Sequence, residues 1–581
     1  MRVLLALAEA QGETSSRDDL VEACWNQRIV GDDAVHRIIS TLRRDLTQLS
    51  AGAVGIETIA KVGYRLRVGA SHQDASADNI DAEVKAGKLA KSWPVAAVAI
   101  AVLASAALFV PTRGVGGVTA IAVIADSEVA GDATEQFANG LTGDLARLAG
   151  AMPSLNFVEP GGPRAKETLL LRVALESDAR TPKARVRLID GEGGTVVWSR
   201  EFAAEAGTLG ELRERVANGV TGVVQCGLDR SAAFDDPVGL RIYLGACEGL
   251  ETGDFVRARA FAEQITKLHP NVAAGWACLA NSTIFAEAQN GQVGGAVLAQ
   301  ADAYARRALA VDPTSGLAYV ALAMVSSWGG EPVLEILERG IRADPDFAIL
   351  HKHYAWALSG AGMTHQAVDP ALRAVALQPH DPGLYQLAVA TLLNAGRTEE
   401  AVALTAKMHR LWRYDRGVEM QRLDMLFYAP DAKAALAAFR ASPRSRDLRA
   451  GVIHQTLVWR ADPEAYDWAQ FDRAAKEMTA VDESLAWRLS LAAARMGDEA
   501  RALAWLERAP PKAFLAWSSL FAPEAAALRR NPKFFDKMAS VGMVARWQKS
   551  GRWPDFCAEP GLGYDCRKSA VRLAGNSSPR R

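Results

Sequence analysis

The spacing of apolar residues changes several times along the chain, and each change predicts a different kind of element. In MRVLLALAEAQG, Val3, Leu4, Leu7 and Ala8 fall on one helical stripe that closes at Gly12. Ser16 with Asp19 forms a capping box ahead of DDLVEACW, whose Leu20, Val21 and Cys24 face inward. A third helix, capped by Asp32 or Asp33, carries Val35, Ile38, Ile39, Leu42 and Leu46 at the spacing of a buried face. IETIAKVGYRLRV then reads as two short β-rich runs around a turn. An uncharged apolar run follows, from Pro94 to Val110. Beyond it comes a strand around Ile121 and Val123, then a helical face of Phe137, Leu141, Leu145 and Leu148, then a short strand in SLNFVEP. TLLLRVALES, ARVRLIDGEGG and TVVWSREFAA predict three consecutive strands with GEGG as a hairpin turn, and ELRERVANGVTGVV closes that unit as a helix. From about residue 236 to 550 alanine-rich helices take over.

The pattern defines a multidomain chain: a winged helix-turn-helix over 1–68, a linker over 69–91, a single transmembrane helix over 92–112, a small α/β domain over 118–228, an α-helical solenoid over 236–550 and a tail over 551–581. A length of 581 residues requires several cores, and 49% hydrophobic with 23% charged residues is globular rather than disordered composition. The net charge of −1 excludes nothing, because a short basic module disappears inside a neutral total. Six cysteines form no CxxC pair, which argues against a zinc site, and no cofactor or metal is expected.

With Trp93 and Pro111 the apolar run reaches about 19 residues, or roughly 28 Å of helix, enough for a hydrocarbon core. Lys85, Lys88 and Lys91 precede it and only Arg113 follows. That asymmetry predicts an inner-membrane protein with a cytoplasmic N-terminus and a periplasmic C-terminus. ASHQDASADNIDAEVKAG, just before the run, has the composition of a flexible tether.

On the third helix, the face opposite the apolar stripe presents His36, Arg37, Ser40, Arg43 and Arg44, with Thr41 at its edge. Lys61, Arg65 and Arg67 follow in the β-rich runs, so six basic residues face only Asp45 and Glu57 between Arg37 and Arg67. Arginine grips phosphates or guanine edges, and hydroxyls suit phosphate and base contacts. Ser40-Thr-Leu-Arg-Arg, Ile56-Glu-Thr-Ile and Gly63-Tyr-Arg-Leu together resemble the OmpR/PhoB-type winged-helix DNA-binding domain, most of all its membrane-anchored ToxR/CadC-like branch. The resemblance implies a third helix in the major groove of double-stranded promoter DNA. His36, Arg37, Ser40, Thr41, Arg43 and Arg44 would lie on the groove side, with Lys61 and Arg65 on the wing, Gly63 in its turn and Tyr64 packed inside. Family members begin with a small antiparallel sheet and this chain begins at the first helix, so the resemblance implies a start placed late or an incomplete module. No receiver domain is present in the sequence, so control by phosphorelay through this chain is not expected.

The middle unit resembles the TolB N-terminal-like domain through Ile121-Ala-Val-Ile, Phe137-Ala-Asn-Gly-Leu-Thr, Arg187-Leu-Ile-Asp and Val197-Trp-Ser-Arg. It carries no catalytic constellation. In the helical region KLHPNVAAGW, AVDPTSGLAY, RADPDFAILH and LQPHDPGLY place Pro270, Pro313, Pro345 and Pro379 at intervals of 43, 32 and 34 residues, each proline following an amphipathic helix. The period resembles that of TPR repeats, which implies stacked helix pairs and a protein or peptide partner on a concave face. The pattern weakens after Pro379 and returns in SLAWRLSLAAARMGDEARALAWLERAP. Trp276, Trp328 and Trp356 are expected to fill helix-pair cores, and His351 and His353 lie too far apart around a helix to chelate one ion. In a periplasmic tail, Cys557 and Cys566 are the preferred disulfide, with Cys226 and Cys247 as a second pair and Cys278 left over.

These readings converge on a membrane-anchored one-component transcriptional regulator, not an enzyme, whose heads would gain from a homodimer on paired half-sites. The alternative is a membrane-tethered TPR scaffold with a degenerate winged helix.

Overall fold

The chain divides into two units, Met1–Val110 and Pro111–Arg581. The computed structural model describes residues 15–16, 39, 54–59 and 63–68 of the first, and in the second 120–125, 132–149, 156–158, 168–176, 181–190, 194–204, 207–227, 234, 236–289, 293–326, 333–510 and 516–576.

In the first unit β1 (Ser15–Ser16), β2 (Val54–Ile59) and β3 (Gly63–Val68) form a sheet in the order β1-β3-β2. The two β-rich runs pair antiparallel, from Val54 opposite Val68 to Ile59 opposite Gly63. Ser16, expected to cap a helix, instead lies in a strand that pairs with Gly63 and Tyr64. An extended backbone at Ser16 satisfies its polar groups by a ladder, which local sequence alone does not announce. Ile39 in its helix, and Ile56 and Tyr64 on the strands, are buried.

In the second unit β4 (Ala120–Ala125), α1 (Asp132–Ala149), β5 (Asn156–Val158), β6 (Thr168–Glu176), β7 (Lys183–Asp190), β8 (Val196–Ala203) and α2 (Leu209–Gly227) follow the anticipated order. The sheet runs β5-β4-β6-β7-β8, with β4 parallel to both its neighbours and the last three strands antiparallel. Strand alternation sends Leu171, Val173, Val186 and Leu188 to one face, where Phe137, Leu141 and Leu145 of α1 and Leu212, Val216 and Val220 of α2 cover them. The next residues along, Arg172, Arg185 and Arg187, take the opposite face.

Eight helix pairs follow among the described residues. They are α3–α4 (Pro237–Thr252, Phe255–Leu268), α5–α6 (Ala273–Gln289, Gly295–Val311), α7–α8 (Gly316–Ser326, Val333–Ala343), α9–α10 (Ala348–Gly360, Thr364–Leu377), α11–α12 (Pro382–Asn394, Thr398–Leu411), α13–α14 (Arg416–Met425, Ala432–Ala441), α15–α16 (Ala450–Ala461, Trp468–Val481) and α17–α18 (Leu485–Arg495, Glu499–Arg508). From the third pair on, first helices start at residues 316, 348, 382, 416, 450 and 485, so a pitch of 32 to 35 residues persists where the proline markers stop. Aspartate does part of the same work: Asp415 caps α13 by accepting from Val418 N at 2.8 Å. Buried alanines such as Ala262, Ala277, Ala305 and Ala308 let neighbouring helices approach. First helices of successive pairs pack on one another, as α7 does on α9 and α15 on α17, whereas successive second helices scarcely meet. The first helices therefore form the inner wall of a curved array. Trp276 and Trp356 are half-buried rather than core residues, and among the described residues the fully buried tryptophans are Trp412, Trp487 and Trp547. Trp328 lies outside the described residues.

Two long-range attachments close this unit. Helix α2 is joined at its C-terminal end to α3 by the Cys226–Cys247 disulfide, with a Cα–Cα distance of 6.2 Å. Nearer its N-terminus, Asn218 Oδ1 accepts from Trp412 Nε1 at 3.0 Å, and Glu214 accepts from Arg413 N at 2.8 Å and Tyr414 N at 3.1 Å. The second attachment is C-terminal. Trp517 Nε1 and Trp547 Nε1 donate to Gly360 O and Ala361 O at 3.1 and 2.9 Å. Asp555 accepts from Thr364 Oγ1 at 2.9 Å and His365 N at 3.0 Å. Gly362 has φ +78°, and a Cβ there would meet Pro554 at 2.7 Å, so only glycine permits this contact. Cys557 and Cys566 are joined 5.8 Å apart at Cα, and Cys278 is buried and belongs to neither disulfide.

One expectation requires correction. No helix among the described residues is long and apolar enough to cross a membrane. The two that reach 18 residues, α1 and α2, carry charges along their length, including Glu135 and Asp144 in one and Glu211, Arg213 and Glu214 in the other. The run over 92–112 itself lies outside the described residues. The single transmembrane helix is therefore withdrawn from the fold, and the inner-membrane location with a periplasmic C-terminus goes with it.

The α2–α3 junction also yields a pH prediction. Glu251 lies against α2, where a Cβ on Gly222 would sit 2.4 Å from its Oε1. Burial lifts its carboxyl to about 7; Asp381 and Glu248 add to the rise and Arg200 opposes it. A folded value above the unfolded one means the folded state binds the proton more tightly, so this group's contribution weakens as pH rises from about 4.5 toward 7. Glu251→Gln should melt higher than the parent at pH 8 and alike at pH 4.5, by a small margin because the residue keeps solvent contact that screens its charge; thermal unfolding of both proteins across that range checks it.

Candidate functional site

The hairpin β2–β3 presents one face inward through Ile56 and Tyr64 and the other outward through Glu57 and Arg65. These last two stand directly opposite across the ladder, and Arg65 Nε donates to Glu57 Oε2 at 2.9 Å. Both remain substantially exposed, at 41% and 36% of their side-chain surface, so the pair is worth under about 1 kcal/mol to stability. Its consequence is electrostatic: a cation expected to face DNA phosphate is partly neutralised by its own neighbour. The other seven residues assigned to DNA contact, His36, Arg37, Ser40, Thr41, Arg43, Arg44 and Lys61, lie outside the described residues.

A second charged constellation, not anticipated from sequence, lies on the inner wall of the sixth to eighth pairs. Arg495, at the end of α17, reaches across the seventh pair to the sixth. Its Nη2 donates to the Tyr428 hydroxyl at 3.0 Å and its Nη1 lies 3.4 Å from Asp424. Tyr428 in turn donates to Glu524. The guanidinium groups of Arg495 and Arg460 both lie over the Phe427 ring, at 4.9 and 5.9 Å from its centre. Burial acts to discharge Arg495, whose side chain is only 8% exposed, but Asp424, Tyr428 and Glu524 outweigh it and raise its pKa. Arg495 Nε and Arg460 Nη1 are buried without a hydrogen-bond partner. The available sequence signal was the pair of arginines seven residues apart in SLAWRLSLAAARM, on a helix otherwise almost wholly buried.

In the neighbouring cavity the charges include a matched pair. The cavity of about 570 Å³ between α16 and α18 is lined by Asp472, Lys476, Arg501 and Trp505. There Arg501 binds Asp472 through two bonds of 2.9 Å and lies over the Trp468 ring. His351 contacts Pro345 O at 2.8 Å and His353 meets Trp356 edge-on. No group of three or more His, Cys, Asp or Glu that suits a metal ion occurs among the described residues.

Residues 1–66 match the family model described as "Transcriptional regulatory protein, C terminal", the OmpR/PhoB-type DNA-binding domain. No curated protein matches the chain. Among solved structures, the chain is similar to TTC0263, a thermophilic TPR protein of Thermus thermophilus, with 20% identity, 31% of this chain and 95% of that one covered, and a TM-score of 0.27. It is also similar to YrrB, described as a TPR protein with an unusual peptide-binding site (17% identity, 30% and 87% covered, TM-score 0.21). The human IFIT1 dimer is matched over 61% of this chain and 90% of that one, at 13% identity and a TM-score of 0.29. The repeat assignment rests on the helix-pair geometry itself.

Arg495→Ala should cost on the order of 3 kcal/mol, because it leaves Asp424 and the Tyr428–Glu524 pair without their counter-charge. Denaturant unfolding followed by circular dichroism measures the loss, with native helical content retained.

Proposed function

We propose that this protein regulates transcription by binding double-stranded promoter DNA through its N-terminal module and a protein or peptide partner through its helical repeats. The observation that carries the reading is the family match over residues 1–66, supported by the antiparallel hairpin with a buried Tyr64 and an outward Arg65. Arg37, Arg43 and Arg44, with His36, Ser40 and Thr41, meet the major groove, and Lys61 and Arg65 meet the backbone beside it. The protein acts by binding rather than by catalysis. Two copies on paired half-sites raise each other's effective concentration, so a partner that gathers or separates copies on the repeats changes occupancy of the promoter without reshaping the DNA-binding module.

Arginines that grip phosphate leave a mark in salt dependence. Each phosphate neutralised contributes about 0.9 to the slope of log affinity against log salt, so Arg43→Ala with Arg44→Ala should weaken binding and flatten the slope by roughly 2. Fluorescence anisotropy of the full chain on a promoter duplex over a salt series tests this. Affinity and slope equal to those of the parent protein would remove the DNA reading. In the same assay Glu57→Gln frees Arg65 and is expected to tighten binding and steepen the slope, while Arg65→Ala does the reverse.

A further inference from the structure

The inner wall of the sixth to eighth helix pairs holds more positive charge than its own residues neutralise. Arg488 and Arg495 stand two turns apart on α17, whose other residues are buried except at Ala494. Arg495 is taken up by Asp424 and Tyr428. Arg488 is exposed and has neither an ion pair nor a hydrogen bond among the described residues, and the same holds for Arg449, just ahead of α15. The walls of the curve desolvate Arg488 and hold its pKa below the usual range; Arg449 and Arg495 push it the same way by repulsion, against Asp424 and Asp482. Asp424 is already shared with Arg495, and the donors Arg495 Nε and Arg460 Nη1 lie buried and unfilled nearby. The four guanidinium groups of Arg449, Arg460, Arg488 and Arg495 meet three carboxylates, Asp424, Asp482 and Glu524, of which Asp424 is engaged by Arg495 and Glu524 by Tyr428, so Arg449 and Arg488 are left without an ion pair and the wall is short of an anion.

We propose that the inner wall of the sixth to eighth pairs binds an acidic peptide segment of a partner protein, whose carboxylates meet Arg488 and Arg449. This rests on the reading of the repeats as a partner-binding surface and specifies the chemistry of the partner. A planar guanidinium binds a carboxylate through two parallel hydrogen bonds. Duplex DNA, with one charge per roughly 1.7 Å of axis, fits less well, because Asp424, Asp482 and Glu524 punctuate the same wall and repel a continuous polyanion. A peptide sets its carboxylates apart and can lay carbon surface over the half-buried Phe427 between them.

The test is fluorescence anisotropy of the full chain with a short fluorescein-labelled peptide of alternating glutamate and alanine, beside its glutamine counterpart. The glutamate peptide should bind at low salt and the glutamine peptide should not. Arg488→Ala with Arg449→Ala should weaken binding about tenfold. Arg488→Lys should retain most of it, and Arg473→Ala, on the outer helix α16, should change nothing. These side chains are exposed, and an unchanged melting curve establishes that each variant is folded. Equal binding of the glutamate peptide by parent and double variant overturns the proposal. So does a labelled DNA duplex whose binding is lost in that double variant, since nucleic acid is then the occupant. If the glutamine peptide binds parent and double variant alike, the acidic preference is wrong while the repeats still bind partners. If no peptide binds, whatever its charge, both readings fall.

Discussion

Trp412 is the residue on which the second unit turns. Its indole is fully buried and lies edge-on to Tyr385 at 5.1 Å, and its N–H reaches Asn218 on a helix almost two hundred residues earlier. Around it, side chains from α2 and from the fourth and fifth helix pairs form one continuous apolar cluster. A linear repeat array contacts only its neighbours and is stabilised step by step. Here the fifth pair is fixed to the domain that precedes the first, and a disulfide holds the other end of the same helix. The first five pairs therefore cannot open independently of the α/β domain, and their curvature is set by an external strut as well as by helix crossing.

The C-terminal segment applies the same constraint from the opposite direction. The aromatic group of Phe521, Phe534, Trp547 and Phe556 packs inside the last cluster, and two tryptophan N–H groups satisfy the carbonyls left open at the end of α9. Arg529 is buried to 1% exposure and is compensated by Glu559 and by two backbone carbonyls at 2.7 Å. A charge so enclosed needs a counter-charge and acceptors close around it. The contrast with Arg488 and Arg449 is what makes the inner wall of the later pairs chemically distinct: one arginine is fully provided for, the others are not.

The first unit depends on a different balance. On the hairpin the electrostatics are local and screened, and Glu57 tempers Arg65 without adding much to stability. Such a pair reduces the positive charge that the hairpin presents outward while leaving the fold unchanged. In the repeats, by contrast, Arg495 is held almost out of solvent against Asp424, so its pairing bears on stability, whereas Arg488 and Arg449 stay exposed.

Much of this protein was legible in its residues alone. Alternation over 168–203 predicted three strands, the GYRL run predicted a hairpin strand, and prolines at a recurring interval predicted helix pairs, because each of these follows from contacts a few residues apart. The apolar run at 92–112 was legible in the same way, yet the fold gave no membrane-spanning helix among the described residues. Local pattern was silent on the sixth and seventh pairs, where proline no longer marks the helix starts. It was equally silent on the strut and the cationic wall, since Trp412 meets Asn218, and Arg495 meets Asp424, only after the chain has curved back on itself. Sequence specifies which surfaces must be buried; the close approach of residues distant along the chain, and the charges left unmatched by it, arise only when those surfaces have found one another.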